Sequence, residues 1–308
     1  MVRFVEGRVL SFHLASGTSL ADYTAIVSAA HEERGYNPRD LYSWLVEWFA
    51  NDDGSAREGL GPKEWACYED VWRAPDGTSF VTPRQGGVVR LRDGQRVRHE
   101  LPFVVTAVSG VDSGEVYVAG ISGGAEVDRA DHLVRWDGKR FADIETPGYV
   151  LRVRGPNPGL LYAVGRRGLL AHWDGNAWRK FLPEGVGDFS GLTVIDDDTA
   201  YASGWSGELY ELSPHGCSLV ARHQFPLIDV GHCAGQIYAA GLTGLSRLQG
   251  TALVPVELEG APRRLESRGG NLLITTADRI IEMRDEQTMT SRLLFDVAGP
   301  ILDAEPEE

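Results

Sequence analysis

The chain has 308 residues, of which 43% are hydrophobic and 24% are charged, as in a folded protein with a substantial core. Its formal net charge is −14. Proteins that bind duplex nucleic acid need a positive surface, so the charge argues against that class and against docking on anionic membranes. A basic protein partner is compatible with it, because complementary potentials steer association.

Cysteine usage and the start of the chain bear on the compartment. Cys67, Cys217 and Cys233 are odd in number and far apart, which is not the pattern of a disulfide framework. The first residues show no basic segment followed by an apolar one, and no apolar run approaches the length of a bilayer span. We therefore expect a cytoplasmic protein.

Residues 2–12 predict two strands around a turn at Glu6-Gly7, and a helical hairpin is predicted next, within residues 19–54. Ser19 is a candidate cap for a helix that stops at Gly35, and Pro38 fits the first position of a second helix. This second helix would pack against the other elements or provide a docking surface. Its apolar residues have helical spacing: Leu41, Trp44, Leu45, Trp48 and Phe49.

From about residue 65 the sequence repeats a four-strand pattern at intervals of roughly 35–45 residues. In the clearest copy, 149–183, the pair Asp174-Gly175 supplies the positive φ angles of a two-residue hairpin. About six copies are present. Their second strands share a Tyr-Ala-Gly-like ending, as in Tyr117-Val118-Ala119-Gly120, Tyr201-Ala202-Ser203-Gly204 and Tyr238-Ala239-Ala240-Gly241.

Trp136-Asp137 and Trp173-Asp174 stand where the Trp-Asp pair ends the third strand of a WD40 repeat. Residues 65–304 thus resemble the β-propeller superfamily of WD40-, YVTN- and BNR-like repeats. The resemblance implies a ring of small sheets that cover one another's apolar faces, and it implies no particular activity.

We therefore expect an all-β fold in which residues 1–308 form a single β-propeller. It would have six or seven four-stranded blades, with seven favoured, and the inserted hairpin of 19–54. The seventh blade would be a composite of residues 2–12 and a first strand at 300–303.

Loops between second and third strands lie on one face of a propeller, and we predict partner binding there. Arginine and tryptophan, which are frequent at binding hot spots, occur in these loops. The alternative is that the loops are polar because they are solvated. The predicted partner-binding residues are Arg84, Glu126, Asp128, Arg129, Asp131, Arg166, Arg167, Trp205, Asp278 and Arg279.

The residues that would line the channel do not predict catalysis. The first strands are mostly apolar, with Asp70, Asp229, Glu266 and Asp303 scattered among them, and no Gly-x-Ser-x-Gly elbow is present. We expect no catalytic residues, no metal and no cofactor. One group of potential ligands matches no familiar zinc spacing: His215, Cys217, His223, His232 and Cys233.

The sequence thus favours a non-catalytic scaffold that binds a protein partner. A narrower hypothesis is a bacterial immunity protein, or antitoxin, that neutralises a toxic effector. Two alternatives stay open: a hydrolase or lyase with its site at the channel mouth, and a small-ligand or glycan binder that uses Trp205.

Overall fold

The computed structural model describes residues 4–5, 8–31, 42–50, 56–60, 68–83, 86–112, 114–123, 130–181, 183, 187–285 and 289–293. Regular structure in these residues consists of 29 β-strands, arranged in one five-stranded and six four-stranded sheets. Within this part of the chain, no helix has the length and apolar character to cross a membrane.

The six four-stranded sheets share one plan, in which consecutive strands pair antiparallel, and we number them as blades 1 to 6. Blade 1 consists of β6 (Tyr68–Arg73), β7 (Ser79–Pro83), β8 (Val88–Arg92) and β9 (Gln95–His99). Blade 2 consists of β10 (Val104–Asp112), β11 (Glu115–Ser122), β12 (Ala130–Trp136) and β13 (Phe141–Asp143). Blade 3 consists of β14 (Val150–Asn157), β15 (Leu160–Gly165), β16 (Leu170–Trp173) and β17 (Trp178–Phe181).

The second half of the chain continues this plan without a break. Blade 4 consists of β18 (Phe189–Val194), β19 (Ala200–Gly204), β20 (Glu208–Ser213) and β21 (Gly216–Arg222). Blade 5 consists of β22 (Leu227–Cys233), β23 (Gln236–Gly241), β24 (Gly244–Gln249) and β25 (Ala252–Val256). Blade 6 consists of β26 (Arg264–Arg268), β27 (Asn271–Thr275), β28 (Arg279–Met283) and β29 (Met289–Leu293).

The blades pack side by side around a channel. The first strand of each blade contacts the first strand of the next, from β6 through β26. Apolar clusters fill the spaces between blades, as where Trp72 and Phe80 of blade 1 meet Val118 and Trp136 of blade 2. Burial of each such side chain is worth about 1.5–3 kcal/mol. The predicted all-β propeller is therefore confirmed.

The N-terminal sheet occupies the gap between blade 6 and blade 1. Its strands are β1 (Phe4–Val5), β2 (Arg8–Ser19), β3 (Asp22–His31), β4 (Tyr42–Ala50) and β5 (Ala56–Leu60). The backbone N–H of Phe12 donates to the carbonyl of Ala277 in blade 6 at 2.9 Å. On the other side, the backbone N–H of Arg73 in blade 1 donates to Ser16 Oγ at 3.0 Å.

The helical hairpin predicted within 19–54 is wrong, because this range contains β3 and β4, which pair antiparallel. Strand β3 is rich in β-branched residues, which favour extended backbone. Ile26 is fully buried and packs with Leu14 of β2 and Leu45 of β4 against blade 1. Helical spacing of apolar residues was therefore outweighed by pairing with a neighbouring strand and by burial against blade 1.

The composite seventh four-stranded blade is also not supported. In the described residues the four-stranded blades number six. The predicted strand pair within 2–12 exists, since Phe4 pairs with Val9, but it belongs to the five-stranded N-terminal sheet. Residues 300–303 lie outside the described residues.

Candidate functional site

The blade topology gives the ring two distinct faces. The loop face carries the loops that join second to third strands and the connections from one blade to the next. The turn face carries the hairpins that join first to second strands and third to fourth strands. This division follows from the antiparallel order of every blade.

Six predicted partner-binding residues lie in the described part of the chain, in or beside loops of the loop face. Asp131 is the second residue of β12, directly after the loop that joins β11 to β12. The other four predicted residues lie outside the described residues: Arg84, Glu126, Asp128 and Arg129. The remaining five belong to the corresponding loops of blades 3, 4 and 6: Arg166, Arg167, Trp205, Asp278 and Arg279.

Asp188 brings three of the predicted residues together. It lies in the connection from blade 3 to blade 4, and its Oδ1 accepts the backbone N–H of Arg167 at 2.9 Å. Its Oδ2 is 3.8 Å from Nε of Arg166, and its carbonyl accepts the backbone N–H of Trp205 at 2.9 Å. The loops of blades 3 and 4 are thereby held side by side.

Asp278 and Arg279 form an ion pair within their own loop on blade 6, with 3.2 Å between Arg279 Nη2 and Asp278 Oδ2. Asp278 also accepts the hydroxyl of Thr276 at 3.0 Å, and Arg279 pairs with Glu259. These contacts order the loop. They do not connect it to Trp205.

The sequence analysis missed two exposed apolar residues in the loops that neighbour the Trp205 loop. Phe225 lies in the connection from blade 4 to blade 5, and Leu242 lies in the loop between β23 and β24. Trp205 is 50% exposed, Phe225 44% and Leu242 56%. We call these three residues the Trp205 patch.

The backbone holds the loops of the Trp205 patch next to one another. The carbonyl of Gly207, in the Trp205 loop, accepts the backbone N–H of His223 at 2.7 Å. Gly207 has a φ of +88°, and a Cβ there would lie 2.1 Å from the carbonyl oxygen of His223, so only glycine allows this approach. Gly241, which precedes Leu242, lies next to the carbonyl of Pro226, at a distance where a Cβ would make an ordinary van der Waals contact.

The channel contains charged side chains that reach across the ring. In blade 1, Oδ2 of Asp70 lies 3.7 Å from Nη1 of Arg152 in blade 3. Oδ1 of Asp70 lies 3.4 Å from Nη2 of Arg264 in blade 6. Arg264 also lies 3.7 Å from Asp229 of blade 5. Burial raises the pKa of Asp229, an effect that Arg264 and Arg152 oppose.

A second set of channel charges lies nearer the turn face. Glu266 of blade 6 accepts hydrogen bonds from Arg154 of blade 3 at 2.5 and 3.2 Å and from Arg268 at 3.0 Å. Burial acts to raise the pKa of Glu266, but Arg154 and Arg268 outweigh it and lower that pKa to about 2. Glu266 is therefore a permanent anion at neutral pH and is not suited to exchange protons.

The potential zinc ligands considered in the sequence occupy different parts of the ring. His215 lies in the outer hairpin between β20 and β21, whereas His232 lies on the first strand β22. Among the described residues, no group of three or more His, Cys, Asp or Glu side chains is placed to hold a metal ion.

Two first strands carry a sequence pattern that could have predicted the channel charges. Arginines alternate with apolar residues in Leu151-Arg152-Val153-Arg154, and charges alternate in Arg264-Leu265-Glu266-Ser267-Arg268. In a first strand this alternation places one set of side chains toward one side. Phe225 and Leu242 gave no comparable signal, because isolated apolar residues in loops are common.

Comparison with solved structures gives the class of protein. The chain superposes on virginiamycin B lyase from Staphylococcus aureus with a TM-score of 0.63 and 12% identity, over 86% of this chain and 92% of that one. It superposes on the WD40 β-propeller domain of Doa1 with a TM-score of 0.65 and 9% identity, over 91% and 93%. It superposes on the computationally designed protein Ika8 with a TM-score of 0.61 and 13% identity, over 94% of this chain and 88% of that one.

The chain is a β-propeller. Identities this low show the fold alone, and the neighbours include both a WD40 domain and a lyase. No protein-family model matches the chain, and no curated protein does so.

Proposed function

We propose that this propeller is a scaffold that binds a protein partner on its loop face, around the Trp205 patch. The observation that carries the proposal is the exposure of Trp205, Phe225 and Leu242 in loops that touch one another. Contiguous apolar surface on a soluble protein marks interaction sites, and tryptophan is among the residues most often found at hot spots.

The surroundings of the patch support a preformed site. The guanidinium of Arg166 lies over the ring of Tyr149 at 4.7 Å, and its Nε is 3.8 Å from Oδ2 of Asp188. Because Asp188 also holds the Trp205 loop, little ordering is needed when a partner binds, and preorganisation of this kind strengthens binding. The partner would cover the three apolar side chains and would meet Arg166 and Arg167 at the edge through an acidic or neutral group of its own.

The net charge of −14 favours a partner of opposite charge, since complementary fields raise association rates. A basic toxic effector neutralised by this chain would be such a partner, and the narrower proposal is therefore an immunity protein. Its association rate would fall as salt is added, because salt screens exposed charges beyond about 10 Å at 0.1 M.

The channel carboxylates favour the scaffold over a hydrolase or lyase. Glu266 is held between two arginines, and Asp70 and Asp229 each accept two backbone N–H groups. A general acid or base needs a pKa near the working pH and access to substrate, and Glu266 lacks the first. The likeness to a lyase remains an analogy of fold.

Affinity capture with a matched pair of variants tests the scaffold. Wild-type protein, Trp205→Ala and Leu219→Ala would each be used as bait; Leu219 is exposed on the outer strand β21 of the same blade. We expect a partner retained by wild type and Leu219→Ala, and weakened by about 30-fold or more in Trp205→Ala, which corresponds to the 2 kcal/mol of a hot spot. Equal retention by Trp205→Ala, or no partner for any bait, would contradict the proposal.

A co-expression assay tests the immunity version. If the captured partner is toxic when expressed alone, wild type would restore growth and Trp205→Ala would not. A captured partner that is harmless in the cell would remove the narrower proposal and leave the scaffold intact.

A further inference from the structure

A cavity of about 210 Å³ opens at the turn face of the channel, away from the Trp205 patch. Pro75, Val111 and Pro156, which form part of its wall, lie at the ends of the first strands of blades 1, 2 and 3. A cavity of this size suits a small molecule rather than a peptide.

The polar part of the cavity wall is cationic. Arg154 and Arg268 both line it, and the two guanidinium groups share one buried carboxylate, Glu266. Arg268 also lies over the ring of Trp72 at 5.4 Å and donates to the carbonyl of Arg73. Its planar group is thus fixed in orientation beside the empty space.

The next layer of the channel does not offset this charge. There Arg152 and Arg264 face Asp70 and Asp229, two cations against two anions. Together the two layers have four arginines and three carboxylates, a surplus of one positive charge inside a chain whose net charge is −14.

Burial and the neighbouring arginines act in the same direction on the pKa values of two groups beside the cavity. Burial lowers the pKa of Arg152 to about 10, and repulsion from Arg264 adds to the effect. Burial also lowers the pKa of His232, with Arg154 acting in the same direction. In addition, Nε of Arg152 and Nη1 of Arg264 are buried without a hydrogen-bond partner in the part of the chain that is described.

We propose that this cavity binds a small organic anion through a carboxylate or phosphate group. The anionic group would lie beside Arg154 and Arg268, where it would neutralise the surplus charge. Thr193 and Ser267 also line the cavity, and Trp72 offers an apolar wall. The hydroxyl of Thr193 is hydrogen-bonded to Nδ1 of His232 at 2.9 Å. Ser267 Oγ already accepts the backbone N–H of His232 at 2.6 Å, so its own proton is available to a ligand.

Calorimetric titration of the full chain tests the site, with inorganic phosphate and succinate as probes and sodium chloride at matched ionic strength as the blank. We expect saturable binding of at least one probe. The variant Arg268→Gln should weaken it by about tenfold or more, which corresponds to one lost charged contact. Arg140→Gln, at an exposed turn of blade 2, is the matched control and should bind as wild type does.

The arms of the titration separate the two sources of negative charge. Binding of phosphate alone assigns a phosphate ligand, and binding of succinate alone assigns a carboxylate. No heat from either probe up to about 10 mM, well above the Kd of a specific site, would overturn the proposal. So would undiminished binding to Arg268→Gln.

Two further variants protect the test. Circular dichroism shows whether Arg268→Gln folds, and Thr193→Val takes its place in the titration if it does not. Thr193→Val removes a hydroxyl from the cavity wall at nearly constant volume and should weaken binding several-fold. Trp205→Ala, on the opposite face, should bind the anion as wild type does. A failure of partner capture is thereby distinguishable from a failure of anion binding.

Discussion

The carboxylate of Asp229 accepts the backbone N–H of Leu265 at 2.9 Å and so joins the first strands of blades 5 and 6. Asp70 does the same between blades 1 and 2, where its Oδ2 accepts the N–H of Val108 at 3.1 Å. Both aspartates directly follow a shift in strand register, so the same local geometry aims both carboxylates at the neighbouring blade.

Asp229→Ala should lower the free energy of unfolding by about 3–5 kcal/mol, because it leaves Arg264 buried without this partner and the N–H of Leu265 without its acceptor. Chemical denaturation measures the change. Asp143→Ala, at an exposed position on β13, is the control and should stay within about 0.5 kcal/mol of wild type. Equal effects of the two substitutions would contradict the role of Asp229.

Glu266 should make stability depend on pH in acid. Its pKa falls from 4.5 in the unfolded chain to about 2 in the folded protein, so its contribution is complete above pH 4.5 and is lost as the pH falls toward 2. Between these two pH values, the free energy of unfolding of wild type should fall by about 1.4 kcal/mol per pH unit more than that of Glu266→Gln. Urea titrations at several pH values measure both slopes, and parallel slopes would show that Glu266 has an ordinary pKa.

Gly207→Ala should disturb the Trp205 patch. At a φ of +88°, and with the carbonyl of His223 against it, an alanine is strained and pushes the two loops apart. We expect a loss of about 1–3 kcal/mol in stability and weaker partner binding. Gly216→Ala is the control, because a Cβ at Gly216 meets nothing within 4 Å. Tolerance of Gly207→Ala in both assays would count against the close loop packing.

Cys233 should resist alkylation in the native protein. It is fully buried, burial raises the pKa of its thiol, and its Sγ lies 3.3 Å from the carbonyl of Met283. Since the thiolate is the reactive form, iodoacetamide should modify Cys233 at least about 100-fold more slowly in native buffer than in guanidinium chloride. Mass spectrometry of the tryptic peptides measures both rates. Rapid native modification would show that the contact between blades 5 and 6 opens readily.

The blades were predictable because each is local in sequence. The copy at 149–183 contains all four strands of blade 3 between Val150 and Phe181, with turns where glycine, proline and aspartate predicted them. Antiparallel neighbours joined by short turns leave a complete pattern within some 40 residues.

The errors arose where contacts between elements, and not the spacing within one segment, decide the structure. Residues 42–50 have apolar residues at helical spacing, but strand pairing with β3 and burial of Leu45 against blade 1 outweighed that signal. Arg154 and Glu266 are 112 residues apart, so no spacing rule could pair them. The Trp205 patch depends on Phe225 and Leu242 arriving from different loops, which only the ring geometry determines.

The position of the N-terminal sheet has a consequence for synthesis of the chain. Phe12 of strand β2 and Leu20 of the turn after it are synthesised more than 250 residues before their hydrogen-bond partners Ala277 and Glu282. Until then one side of the sheet has no cover, and contacts so far apart in sequence form slowly. A nascent chain that stalls before β28 therefore displays apolar surface to chaperones and to other unfinished copies.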